Sequence, residues 1–161
     1  MLYILLLVLF LLIIYIKTIN QTETFRNPNL NEYILLNKCF RPEKMNTFKK
    51  YYNKTDIINI DNGIVCLTPN NIINEIPQLT WNGVFLNNLC IDPNKRNQGI
   101  ATKLLEKVIN KLKHDGKDHI ILQVNNNNKN AIKLYNKHGF IKYTEGLDAD
   151  GEKVSFYILY L

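Results

Sequence analysis

The stretch Val84–Leu112 constrains the fold more than any other part of this 161-residue chain. Val84 to Ile91 (VFLNNLCI) reads as a strand whose apolar phase moves from Val84 and Leu86 to Leu89 and Ile91. Strand side chains alternate between sheet faces, so a one-residue slip of this kind calls for a β-bulge, and Asn87-Asn88 is where it falls. After Asp92-Pro93, the residues Ile100, Ala101, Leu104, Leu105, Val108, Ile109 and Leu112 keep one apolar face over three helical turns. Gly116 is the stop signal. A strand His119–Val124, an asparagine loop, a helix near Asn128–His138 ended by Gly139, and strands near Phe140–Tyr143 and Val154–Tyr160 complete the series. Strand, helix, strand, helix and two strands predict an α/β fold around a sheet of mixed direction.

The N-terminal half is less sharply patterned. Ile57–Ile60 and Ile64–Leu67 flank Asp61-Asn62-Gly63, which predicts a β-hairpin. Pro42–Tyr52 opens with proline and carries Met45, Phe48 and Tyr52 at helical spacing, which predicts a short amphipathic helix. No repeat or proline-rich linker divides residues 23–161, so they are expected to form one domain.

Met1 to Ile16 contains no charged residue. As a helix at ~1.5 Å per residue, residues 1–19 would reach ~28 Å, close to the ~30 Å hydrocarbon thickness of a bilayer. The run has no basic residue before it and no small-residue cleavage site after it, which favours a transmembrane anchor over a cleaved signal peptide. The expectation is a single-pass membrane protein: anchor and connector over 1–22, and a domain over 23–161. Lys17 and Arg26 against Glu23 favour a cytoplasmic C-terminal domain. Cys39, Cys66 and Cys90 show no C-x-x-C pairing and no histidine at ligand spacing, so they read as reduced thiols rather than a disulfide or metal site.

The turn between strand and helix, Lys95-Arg96-Asn97-Gln98-Gly99-Ile100-Ala101, aims free N–H groups and the positive end of a helix dipole at one point, which suits a phosphate or pyrophosphate. Gly99 permits close approach of the backbone. No G-x-x-x-x-G-K-[ST] and no G-x-G-x-x-G occurs, which excludes the P-loop and the dinucleotide fingerprint. From Leu86 to Lys142 there are eleven basic and four acidic residues, more than the whole chain's net +6. Lys103, Lys107 and Lys111 read as a solvated helix face, whereas Lys95 and Arg96 sit in the turn itself. Nucleic acid is disfavoured as a partner, because no aromatic interleaving accompanies the charge.

Arg96-Asn97-Gln98-Gly99-Ile100-Ala101, as [QR]-x-x-G-x-[GA], resembles the acyl-CoA motif of the GNAT superfamily of N-acetyltransferases. Val124, Asn128, Ala131, Leu134, Tyr135, Gly139 and Phe140 match a second pattern common there, V-x-x-x-N-x-x-A-x-x-L-Y-x-x-x-G-F. The resemblance covers residues 84–161 and implies that the bulged strand splays from the next, opening a slot for the pantetheine arm of acetyl-CoA. Backbone groups near Leu89 and Ile91 would pair with that arm. Arg96, Asn97, Gln98, Gly99, Ile100 and Ala101, with Thr102, would cradle the pyrophosphate. Asn128 would reach the cosubstrate and also cap its helix, and Tyr135 would donate a proton to the departing CoA thiolate.

The implied reaction moves the acetyl group to a primary amine by direct attack, with no metal. The proton acceptor is not evident. Where the branch of the family that acetylates protein N-termini often has glutamate, this chain has Gln123, and the bulge offers only Asn87 and Asn88. Glu75, Asp61 and the C-terminal carboxylate remain as candidates, with a water relay as the default. Those missing carboxylates keep open a second reading, a degenerate acyl-CoA-binding scaffold at a membrane. Specificity is expected from the N-terminal half, including Thr68–Thr80, and from the loop before the last strand.

Overall fold

The structure, a computed structural model, describes residues 28–40, 55–69, 82–148 and 150–161. It contains helix α1 (Leu30–Cys39), strands β1 (Asp56–Ile60), β2 (Gly63–Pro69) and β3 (Gly83–Ile91), helix α2 (Ile100–His114), strand β4 (His119–Asn125), helix α3 (Lys129–Lys137), and strands β5 (Ile141–Leu147) and β6 (Lys153–Tyr160). The six strands form one sheet in the order β1-β2-β3-β4-β6-β5. β3 and β4 run parallel and the other neighbours antiparallel, so the sheet is mixed as expected.

Alternation along the strands sorts the core into two faces. Val65 and Leu67 of β2 join Val84, Leu86, Ile120, Leu122 and Val124 beneath α2 and α3. Ile64 and Cys66, on the opposite face, pack with Leu36 of α1 and with Cys90. Leu104, Leu105, Val108 and Leu112 hold α2 on the sheet, each 0–3% exposed. At roughly 1.5–3 kcal/mol per buried side chain, this face outweighs the ~1 kcal/mol that a side-chain N-cap would add. α2 has no such cap. Its first N–H groups are therefore left for another use.

The bulge lies where the phase slip put it. Cys66 of β2 pairs with Asn88 but Leu67 pairs with Leu86, so Asn87 is the extra residue. The hairpin also forms, although the left-handed backbone falls on Asn62, with φ 62°, and not on Gly63. Gly63 serves space instead: a Cβ there would stand 2.9 Å from Ile91 Cδ1 and 3.2 Å from both Ile100 and Leu104 side chains.

Two expectations are corrected. Cys39 and Cys90 are joined in a disulfide, not reduced, while Cys66 stays a buried thiol. Beyond the bulge, β3 turns Cys90 toward α1, whose last residue is Cys39, and a 51-residue separation hides that meeting from sequence spacing. The single-pass membrane protein with a cytoplasmic domain is also withdrawn, together with its membrane partner. Among the described residues no helix is long and apolar enough to cross a membrane, and residues 1–19 lie outside them. The helix expected over Pro42–Tyr52, Glu75, and most of the Thr68–Thr80 wall likewise fall outside the described residues.

Candidate active site

The parallel ladder between β3 and β4 runs from Gly83↔His119 to Leu86↔Leu122 and goes no further. Beyond it, no ladder pair joins Asn87–Ile91 to Gln123–Asn125, which leaves a split in the middle of the sheet. Leu89 and Ile91 direct their side chains into the α2 face. The Ile91 carbonyl accepts from Arg96 Nε at 3.4 Å.

At the open end of the split, Asp92 begins a short 3-10 turn, Pro93–Lys95, by accepting from the Asn94 N–H at 3.0 Å. Lys38 donates to its other carboxylate oxygen at 2.7 Å. The Lys38 hydrogen bond and then the Asn94 N–H hold the Asp92 carboxyl below its usual range. Arg96, Asn97, Gln98 and Gly99 are exposed, and Ile100, Ala101 and Thr102 half-buried. Asn97 and Gly99 both take the left-handed conformation, with φ 62° and 76°. A Cβ on Gly99 would meet nothing within 4 Å, so the backbone at the uncapped start of α2 stands open. That arrangement accepts an anion without displacing any protein atom.

α3 stands on the same face as α2. Asn128 caps it, accepting from the Ala131 N–H at 3.2 Å, and His138 is its C-cap residue, with Nδ1 2.8 Å from the Leu134 carbonyl. Tyr135 is 7% exposed, its ring 5.6 Å from that of Phe140 and tilted 57°. Burial pushes its phenol up to about 12, so at neutral pH it is a hydrogen-bond donor. Gln123 alternates with Leu122 and Val124 and so faces away from α2 and α3, toward the side of Phe85, Ile121 and Ile158.

Sequence reasoning had not anticipated two polar features beside the bulge. Asn87 Nδ2 donates to the buried Thr68 Oγ1, and Asn88 Oδ1 is sealed without a hydrogen-bond partner among the described residues. The phase slip located both residues without showing their contacts.

The family model described as acetyltransferase (GNAT) family matches residues 63–140, from β2 through the Tyr135–Phe140 pair. The chain carries a GNAT acetyltransferase domain. N-alpha-acetyltransferase 30 of Xenopus laevis is 34% identical over 68 residues, which are 38% of this chain and 25% of that protein. The chain thus spans about a quarter of the curated relative it matches. Among solved structures, a Bacillus subtilis acetyltransferase in complex with CoA has a TM-score of 0.67 at 18% identity, over 84% of this chain and 95% of that one. The ribosomal-protein-S18-alanine N-acetyltransferase of Escherichia coli has a TM-score of 0.63 at 18% identity, over 84% and 91%. At such identities these likenesses speak for the fold, and GNAT is a fold of acetyl-CoA-dependent N-acetyltransferases.

Proposed function

We propose that this GNAT domain transfers the acetyl group of acetyl-CoA to a primary amine by direct attack on the thioester. The observation that carries the reading is the split between β3 and β4 opening beside an uncapped helix start. Backbone groups near Leu89 and Ile91 pair with the pantetheine arm as an added strand would. Arg96, Asn97, Gln98, Gly99, Ile100, Ala101 and Thr102 hold the pyrophosphate. Asn128 caps α3 with its oxygen, leaving the amide nitrogen for the cosubstrate.

The amine nitrogen attacks the thioester carbon while a strand N–H polarises the carbonyl, and collapse of the adduct expels the CoA thiolate. The Tyr135 hydroxyl donates to the sulfur. With a phenol at about 12 and a thiol near ~8.5, full proton transfer is uphill by roughly 5 kcal/mol. Tyr135 therefore stabilises the thiolate through a donated hydrogen bond, and water supplies the proton afterwards. Deprotonation of the amine passes through ordered water, since Asn87, Asn88 and Gln123 cannot take a proton.

Turnover of acetyl-CoA against a panel of peptide and small-molecule amines tests the proposal. Loss of turnover with retained CoA binding in Tyr135→Phe supports it. Absence of turnover on every amine, with tight CoA binding, favours the second reading, an acyl-CoA-binding module without catalysis. The neutral residues at 87, 88 and 123 are what speak for that reading.

A further inference from the structure

Two ties from α1 converge on the end of β3, whose β4-facing edge has no ladder partner. Cys90, flanked by Leu89 and Ile91, is disulfide-bonded to Cys39, with the Cα atoms 5.8 Å apart. One residue earlier on α1, Lys38 reaches Asp92 at the start of the phosphate turn. The N–H of Asp92 in turn donates to the Asn62 carbonyl at 2.9 Å, and β2 holds the far edge of β3 through the pairs Cys66↔Asn88 to Gly63↔Ile91. On the β4 side, no ladder pair holds β3 beyond Leu86. An exposed ion pair such as Lys38–Asp92 contributes little by itself. The covalent bond is thus the stronger of the two ties from α1.

We propose that the Cys39–Cys90 disulfide is a redox-sensitive latch on CoA binding, bracing against α1 the end of β3 whose open β4-facing edge receives the pantetheine arm. This rests on the assignment of the split to acyl-CoA. Reduction by a dithiol opens the latch. One thiolate of the dithiol attacks Cys39 Sγ, the less buried sulfur, and expels Cys90 as a thiolate that takes up a proton. The second thiol then closes on the first, releasing Cys39 as a thiol and leaving the dithiol as its cyclic disulfide.

The reduced state is compatible with the fold. Cys90 lies among Leu36, Ile57, Ile64 and Cys66, and a second small thiol is at home in a cluster that already holds one. What reduction removes is the coupling of α1 to β3. β3 then keeps its β2 pairs but loses its brace, so the arm has to fix the open edge as it binds, and affinity falls by that cost.

The experiment uses the full chain, equilibrated with oxidised glutathione or with dithiothreitol, and titrates desulfo-coenzyme A, which lacks the thiol and cannot exchange with the disulfide. Thiol counting in denaturant should give one thiol in the oxidised sample and three in the reduced. Reduction should raise the calorimetric Kd about fivefold or more, reversibly. Cys39→Ser should bind as the reduced protein does whatever the dithiol, and Cys90→Ala serves if Cys39→Ser does not fold. Cys66→Ser should keep the redox response. Equal affinity in both wild-type forms, or three thiols in the oxidised sample, overturns the latch and leaves the acyl-CoA reading standing. No binding in either form overturns both.

Discussion

Gly99 and Gly116 flank the same helix and allow the phosphate loop to be tested against an internal control. Both are left-handed, with φ 76° and 69°, and a Cβ at either would meet nothing within 4 Å. An alanine in that conformation costs about 1–2 kcal/mol, of which a narrower unfolded ensemble returns ~0.4–1 kcal/mol. Gly99→Ala and Gly116→Ala should therefore destabilise alike, by about 1 kcal/mol, lowering the melting temperature by roughly 4 °C. Their effects on CoA should differ. At 99 the methyl enters the space proposed for the pyrophosphate, and any relaxation of φ turns an N–H away from it. Losing one charge-assisted hydrogen bond of about 1.5–3 kcal/mol raises Kd roughly ten- to hundredfold. At 116 the change lies about 22 Å away along the helix, and Kd should stay put. Thermal melts paired with calorimetric titration of CoA check both halves. If Gly99→Ala leaves Kd unchanged, or both variants weaken binding equally, the turn at Lys95–Ala101 is not the phosphate cradle.

Tyr135→Phe should lower kcat by roughly a hundredfold or more while leaving the KM for acetyl-CoA nearly unchanged. With the phenol at about 12, wild-type rate should show no phenol-linked loss below about pH 11. Gln123→Glu restores a proton acceptor beside the split and should raise kcat/KM near neutral pH, adding an acid limb where the carboxylate titrates; a flat comparison at every pH would place the acceptor elsewhere. Gly83→Ala would set a Cβ 2.0 Å from Nε2 of His119, whose ring is 2% exposed, and should cost about 1–3 kcal/mol in a urea melt. Burial lowers the His119 pKa, against a smaller opposing pull from Asp118. Its contribution to stability is therefore present above the unfolded value near ~6.5 and is lost as pH falls from there toward the folded pKa, a slope that His119→Gln should flatten in melts across that range.

Legibility followed the strength of the periodic signal. Leu104, Leu105, Val108 and Leu112 repeat every three or four residues and all four are buried, so α2 was readable to its stop at Gly116. The bulge was readable too, because a strand cannot change the face of its apolar residues without an extra one. α1 was not. Its apolar residues do not keep to one face: Leu30 is 74% and Ile34 47% exposed while Leu36 is fully buried. The available signal was the capping box, in which Asn29 accepts from the Glu32 N–H and Glu32 accepts from the Asn29 N–H. The disulfide depends on where α1 meets β3, which spacing does not encode. At the site, the interrupted β3–β4 ladder and the glycine turn at the start of α2 lie where the sequence put them, whereas the burial of Tyr135 and the contacts of Asn87 came only with packing.

Residues 87–99 break several local rules at once, and the breaks have a common resolution. The end of β3 has no partner on its β4 side, Asn88 Oδ1 is sealed without a donor among the described residues, Asn97 adopts a backbone that costs a non-glycine residue about 1 kcal/mol, and α2 starts without a cap. Scattered through a sequence, such features would read as poor local consistency. Concentrated in thirteen consecutive positions and outweighed by the buried face of α2 directly after them, they coincide with the residues proposed to bind acetyl-CoA. An extended arm with amides fits the strand edge, and a diphosphate fits the helix start. An acyl-CoA molecule carries both, joined in that order, so on the proposed function one ligand would complete the sheet and cap the helix in a single act of binding.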